Sequence, residues 1–301
     1  MTAVDVTAMQ RFRVAYAEQR AAEGRAYTRE DLLALPYLES GPLARQWGVR
    51  RRTFDAFLRR VMAPLVATSQ SPIQALDLGA GNAWLAYRLA LAGCEAIAVD
   101  LRDDHVDGLG AADAYLALTS ARMRCVVGSF ESIPLASASM DVVVFNASLH
   151  YAVDLAATLR EARRVVRASG RVVILDSPFY ASAADGEAMI REKRATAASR
   201  FGGNADALLA VPCIEYLTHH GLQAISHPLG IRWTRHRVRY PLWYEARGLR
   251  ARLRRERVPS RFDRWEGTVA WSSSSIRAQR GRRIAGSRSR SWRSAPRCPR
   301  R

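Results

Sequence analysis

The chain has almost no lysine. Of its 46 basic side chains only Lys193 is a lysine, and the rest are arginine. A phosphate-cradling P-loop needs Gly-Lys-Ser/Thr after its glycine turn. Lys193 sits between Glu192 and Arg194, so that class is excluded. Long apolar runs are also lacking: none reaches the roughly 18 residues that a membrane span requires. The opening Met1-Thr-Ala-Val-Asp5 has neither the basic start nor the apolar centre of a secretory signal, so a cytoplasmic protein is expected. Cysteine is scarce. Cys94, Cys125, Cys213 and Cys298 stand far apart without metal-ligand spacing, which predicts reduced thiols and no metal site. Acid is what the last quarter lacks. Residues 1–228 hold 24 basic and 24 acidic side chains, whereas residues 229–301 hold 22 and 4, so the whole net charge of +18 lies at the carboxyl end. A balanced body is not built for polyanions. The basic end could dock nucleic acid, but it has little aromatic interleaving, and Ser-Arg-Ser-Arg text cannot bury a core.

Against these absences stands Ala75-Leu-Asp-Leu-Gly-Ala-Gly-Asn-Ala-Trp84, which reads as a buried strand, a glycine turn and the start of a helix. Glycines at such a junction let the backbone approach a ligand where a Cβ would clash. A dinucleotide site would continue Gly-x-Gly-x-x-Gly, with the third glycine packing closely under the pyrophosphate. Here that position is Trp84, which argues against it. Further on, Cys94 to Asp100 is a short apolar strand ending in an acid, 19 positions after Gly81. A carboxylate at a strand tip can accept both hydroxyls of a ribose. Three more strands follow, Met123–Gly128, Asp141–Phe145 and Arg171–Asp176, with a helix from Asp154 to Arg167 stopped by Ala168-Ser-Gly170. Strands alternating with helices predict a doubly wound parallel sheet with its ligand at the carboxyl ends of the strands.

The spacing Asp77-x-Gly79-x-Gly81-x-Ala83 resembles the first motif of the class I S-adenosylmethionine-dependent methyltransferases, with Ala83 in place of the third glycine. Gly128-Ser-Phe-Glu-Ser-Ile-Pro-Leu135 and Asp141-Val-Val-Val-Phe-Asn-Ala-Ser-Leu-His150 are similar to further segments of the small-molecule enzymes related to the ubiquinone and menaquinone C-methyltransferases, the methyltransferase type 11 family. The resemblance covers residues 73–177. It implies an α/β, doubly wound, mostly parallel seven-stranded Rossmann-like sheet under an N-terminal helical lid. It also implies S-adenosyl-L-methionine as cofactor, held by Asp77, Gly79, Ala80, Gly81, Asp100, Leu101, Ser129, Phe130, Asn146 and Ala147. Ser129 replaces the family's adenine-binding acid, and Phe130 serves either as a stacking face or as core. His150, Tyr151 and Asp176 are the candidate proton acceptors at the cleft mouth.

The flanks divide as follows. Residues 1–70 read as a helical cap, with helices over 4–22, 29–35 (Thr28 as N-cap) and 43–66. In that cap Trp47 and Tyr37 either touch substrate or, for Trp47, anchor the helix to the sheet. Residues 71–258 form the cofactor-binding domain, with 178–210 a lid insert built on a helix near 185–199 and opened by Phe179 and Tyr180; a helix over 211–220 and a strand over 222–229 follow. Residues 259–301 read as an Arg/Ser-rich disordered tail. The family's last strand belongs near 260–272, yet the pattern dissolves there, so the chain from about Asp263 reads as a shifted reading frame with that strand missing or degraded. Three functions follow in order of preference: methyl transfer to a small-molecule acceptor on O, N or C; RNA methylation with docking through the basic tail; and an idle binding module retaining the fold.

Overall fold

A computed structural model describes residues 6–119 and 121–270. Seven strands form one sheet: β1 Gln74–Leu78, β2 Glu95–Asp100, β3 Met123–Val127, β4 Met140–Asn146, β5 Val166–Leu175, β6 Ile231–His236 and β7 Arg264–Val269. Their order is β3-β2-β1-β4-β5-β7-β6. The first five run parallel, and β7 is inserted antiparallel to both β5 and β6. The chain thus starts mid-sheet, winds outward through β2 and β3, and crosses back to β4. The reversal between β1 and β4 opens a crevice at the carboxyl ends, where ligands bind in such sheets. Val142–Phe145 of β4 and Val172–Leu175 of β5 are continuous apolar runs, buried because helices cover both faces.

One face is covered by α3, Ala44–Phe57, and α4, Trp84–Leu91. Trp47 stands edge-on to Trp84 at 5.5 Å, and Phe54 does so at 5.2 Å. Trp47 is 1% exposed and donates its indole N–H to the Tyr27 hydroxyl at 2.9 Å, so it anchors the helix. Tyr37 bonds Asp55 at 3.0 Å. The other face takes α5, Leu155–Val165, whose Leu155, Leu159, Ala162 and Val165 are buried and whose first turn is capped by Asp154. The cap helices are α1, Val6–Arg20, and α2, Arg29–Ala34, the latter opened by a reciprocal Thr28–Asp31 capping box.

Three expectations are corrected. The stretch 211–220 is irregular apart from the two-residue strand Leu217–Thr218 and the start of a helix, and 222–229 is helical. The Thr218 hydroxyl accepts the Gly221 N–H at 3.0 Å, which starts the helix α6 at His219–Ser226. An apolar pair such as Leu222 and Ile225 is spaced for a helix, with only Leu222 turned inward. β5 begins earlier than Arg171, because a bulge after Met140 lets β4 pair with Val166.

The third correction concerns the carboxyl end. The last strand is present as β7, so neither a tail from 259 nor a lost strand from Asp263 describes residues 259–270. Trp265 is 1% exposed and stacks on Phe179 at 4.5 Å. The buried Asp263 pairs with Arg235 at 2.6 Å, and Glu266 pairs with Arg171 at 2.8 Å and Arg264 at 2.9 Å. The sequence pattern hides the strand because Arg264, Glu266 and Thr268 alternate with Trp265, Gly267 and Val269 and break the apolar run. Buried but mutually paired charges replace the continuous apolar run expected of a central strand. The remainder of the proposed tail, 271–301, lies outside the described residues.

Candidate active site

The turn between β1 and α4 is built to bring backbone close to a crevice. Gly79 and Gly81 have φ of 76° and 55°. A Cβ on Gly79 would lie 2.4 Å from the Ser148 Cβ and 2.9 Å from the Phe130 ring, so the loop after β4 leaves no room for a side chain there. Ala83, at the third glycine position, adopts φ 61°, a left-handed conformation that an alanine takes at a cost of about 1–2 kcal/mol. The departure from glycine is therefore small in volume but not in backbone energy. Ala147 (φ 57°) and Asp176 (φ 51°), just past the ends of β4 and β5, are bent in the same way.

Asp100 closes β2. One carboxylate oxygen accepts the Gly81 N–H at 2.8 Å and the other accepts the Arg102 N–H at 2.9 Å. Each oxygen keeps a further lone pair, and the residue lines a cavity of about 910 Å³. Burial raises the Asp100 carboxyl above its ordinary value, with the backbone N–H groups opposing. Gly79, Ala80, Gly81, Leu101, Phe130, Asn146, Ala147, His150, Tyr151 and Asp176 line the same cavity. Eleven of the thirteen residues singled out from sequence are thereby brought together.

Asp77 and Ser129 are not among the cavity-lining residues. Asp77 is 1% exposed and accepts the Ala86 N–H at 3.2 Å, which ties the first turn of α4 to β1. Burial pushes its carboxyl up to about 7. Ser129 instead forms a backbone bridge with Ser132. Phe130 combines both readings offered for it: its ring lines the cavity and packs against Phe145 at 6.0 Å.

The roof is α1. The Tyr16 hydroxyl donates to the Tyr151 hydroxyl at 3.1 Å, and the Arg102 guanidinium lies 4.5 Å above the Tyr16 ring. Arg20 donates to Asp107 at 2.7 Å, and Asp107 in turn accepts the Asn82 amide at 2.9 Å. The lid is thus linked through one carboxylate to the glycine turn. Arg13 pairs with Asp103 farther along the helix. Sequence reasoning missed Arg20, Arg102 and Asp107. Their signal was the cluster Asp103, Asp104 and Asp107 after β2, which is meaningful only once α1 is seen above it.

Two titratable side chains, His150 and Asp176, stand in the cavity wall with the amide of Asn146. The His150 ring rests on Tyr151 at 4.2 Å, and its Nδ1 is buried without a hydrogen-bond partner. Burial, followed by the positive charges of Lys193, Arg20 and Arg50, drives its pKa down to about 3, so the imidazole is neutral. Asp176 accepts from Arg50 at 3.3 Å through one oxygen, while the other is buried without a partner. Burial raises its carboxyl, with Arg50 opposing. Asn146 also keeps a buried, unpartnered Oδ1. These three buried polar atoms without a hydrogen-bond partner all belong to residues that line the cavity, where a packed core would satisfy them.

Residues 76–174 match the family model described as a methyltransferase domain. The chain is 29% identical over 143 residues to a malonyl-[acyl-carrier protein] O-methyltransferase from Hahella chejuensis, covering 45% of this chain and 50% of that protein. It is 33% identical over 122 residues to a demethylmenaquinone methyltransferase from Mycolicibacterium gilvum, covering 40% and 49%. The chain therefore spans about half the length of these relatives. In fold it is similar to the chain solved in complex with the Trm112 methyltransferase activator of Haloferax volcanii, with a TM-score of 0.52 at 15% identity over 82% of this chain and 99% of that one. With the matched segment running from β1 to β5, and with the inserted antiparallel β7 completing the sheet, the chain carries a methyltransferase domain.

Proposed function

We propose that this protein transfers a methyl group from S-adenosylmethionine to a small-molecule acceptor held beneath α1. The observation that carries the reading is the convergence of the Gly79–Gly81 turn, the Asp100 carboxylate and the unpartnered Asn146 oxygen on one roofed cavity. The volume lies near the upper end for ligand pockets, roughly 300–1,000 Å³, which suits a cofactor with an acceptor beside it. The roof favours a small acceptor over a polymer.

The residues present fit the cofactor. Asp100 offers one free lone pair on each oxygen to the two ribose hydroxyls. Phe130 offers a ring to the adenine. The Gly79–Ala80–Gly81 backbone and Asn146 suit the polar methionine end, where Asn146 would accept from an ammonium group. When bound, S-adenosylmethionine supplies an electrophilic methyl on a positively charged sulfur. The protein's own contribution is orientation and exclusion of water, which can lower a barrier by about 7–11 kcal/mol. α1 holds the roof shut through Arg20–Asp107 and Tyr16–Tyr151.

A base is needed only for an acceptor that arrives protonated. Of the three candidates, Asp176 suits the role best, because burial raises its basicity and the residue lines the cavity beside Asn146 and His150. His150, with its pKa near 3, is a weak base and a good neutral hydrogen-bond partner. Tyr151 closes against the lid. The named relatives act on different acceptors, so the acceptor atom is not inferred from them. Isothermal titration with S-adenosylmethionine tests the reading: one site per chain is expected, and no heat at about millimolar cofactor would remove it.

A further inference from the structure

The three most exposed large apolar side chains of the described molecule lie within twelve residues of one another: Leu242 at 87%, Leu249 at 63% and Leu253 at 77%. Leu242–Glu245 is a helical turn that runs on into the helix α7, Arg247–Leu253. Ala246 keeps right-handed helical angles between them, and the bonds Ala246 N–H to Leu242 O and Arg250 N–H to Ala246 O carry the ladder across. At about 100° per residue, positions 242, 249 and 253 fall within about 40° of one another. The three leucines therefore make a single outward stripe. Arg250 and Arg252, both exposed, fall about 80° to either side of it. Residues 237–257 as a whole hold eight arginines and two glutamates.

Nothing in the fold's interior requires this stripe, since the inward face of the same segment is occupied by buried Tyr244 and Ala251. Three occupants could cover an apolar stripe of this kind. A second copy of the chain would set the flanking arginines of one molecule against those of the other, which repel. A nucleic acid would match the charge but offers nothing to aliphatic side chains, and the stripe holds no aromatic ring for bases to stack on. An anionic bilayer matches both halves: acyl chains take the leucines, and headgroup phosphates take arginines that snorkel outward on either side.

We infer that Leu242–Leu253 is an interfacial helix that docks this protein, flat and without spanning, on an anionic membrane surface. Trp243, Tyr244 and Arg247, on the same turns, line the wall of the catalytic cavity. Docking therefore brings the cavity mouth to the lipid boundary, where an amphiphilic acceptor partly dissolved in the bilayer can enter head first. The membrane contact stands independently of the proposed methyl transfer, whereas the amphiphilic acceptor rests on it.

The test uses the full chain, sedimented with vesicles of phosphatidylcholine alone and of phosphatidylcholine mixed with phosphatidylglycerol, at low and high salt. Two double variants are compared, Leu249→Asp/Leu253→Asp and Arg250→Glu/Arg252→Glu, with thermal midpoint and S-adenosylmethionine affinity measured in parallel. Binding is expected only to the anionic vesicles, weaker in salt, and at least about tenfold weaker in each variant, with the midpoint and cofactor affinity unchanged. The arginine variant keeps the test decisive should the aspartates impair folding. Undiminished binding of both variants would assign the attraction to the arginine-rich end alone and overturn the inference. So would a wild-type protein that ignores anionic vesicles, or a wild-type dimer that the aspartates turn into monomer. Vesicle binding without cofactor binding would leave the docking intact and remove only the methyl-transfer reading.

Discussion

Replacing Asp100 by alanine separates cofactor binding from folding. In the wild-type protein the carboxylate holds the Gly81 and Arg102 N–H groups at 2.8 and 2.9 Å and keeps one lone pair on each oxygen for a ligand. Two charge-assisted bonds to ribose hydroxyls contribute about 1.5–3 kcal/mol each. Their loss corresponds to about 3–6 kcal/mol, or a dissociation constant weaker by roughly 10²- to 10⁴-fold. The cost to folding is smaller. Asp100 sits at a half-buried strand tip where water can reach the freed N–H groups, and its burial already disfavours the charge. About 1–2 kcal/mol of stability is expected to go. Asp100→Asn keeps one acceptor oxygen and should fall between the two. The assay is calorimetric titration of S-adenosylmethionine, with the thermal midpoint recorded for each variant. A loss of affinity under about threefold in a well-folded Asp100→Ala protein would show that the ribose does not lie against β2.

Other consequences follow from the same structure. Gly79→Ala would place a Cβ 2.4 Å from Ser148 at φ 76°, so it should cost at least about 3 kcal/mol and abolish cofactor binding; a near-native denaturation midpoint would contradict the packing of the turn. Trp47→Ala empties a site between Tyr27 and Trp84 and should cost about 3–5 kcal/mol in urea unfolding. Two buried groups give opposite pH dependences. Asp77, raised to about 7 from 3.8, contributes stability that is full below about 3.8 and lost as pH rises through 7; Asp77→Asn should therefore be the more stable protein at pH 8, lose most of that advantage by pH 5 and the rest below about 3.8. His150, lowered to about 3 from 6.5, contributes stability that is full above 6.5 and lost as pH falls toward 3, so His150→Gln should tolerate acid better than wild type; a difference from wild type that does not change with pH in either variant would refute the assignment. Ending the chain after Asp263 deletes β7 and should prevent cooperative folding, whereas ending it after Ala270 should leave a cooperative melt, read by circular dichroism.

The strand ends and glycine turn that frame the candidate site were legible because their parts are local. A glycine turn, an acid at a strand tip and a continuous apolar strand each announce themselves within ten residues, and their order fixes which strand ends meet. Asp77 misled because the motif gives a residue's place in sequence but not its direction: its neighbours in β1 bury it behind the turn, where it holds α4 instead of facing the crevice. The lid was legible as helices but not as contacts, since Arg20 meets Asp107 across 87 positions of sequence. β7 was the hardest element. Central strands are expected to be apolar, and this one satisfies its buried arginine and glutamate through pairing that only the finished sheet provides. The outward leucines of 242–253 have the spacing of a core helix, so their sequence pattern alone could not show that they face away from the core.

The most direct measurement of the central claim is transfer of label. The full chain is incubated with S-adenosylmethionine carrying a radioactive methyl group, together with a fractionated metabolite and lipid extract and, separately, with RNA. The account predicts label in a small organic acceptor, dependent on Asp100 and Asp176 and absent from RNA. Label appearing in RNA, or no transfer by a protein that binds the cofactor, would contradict it.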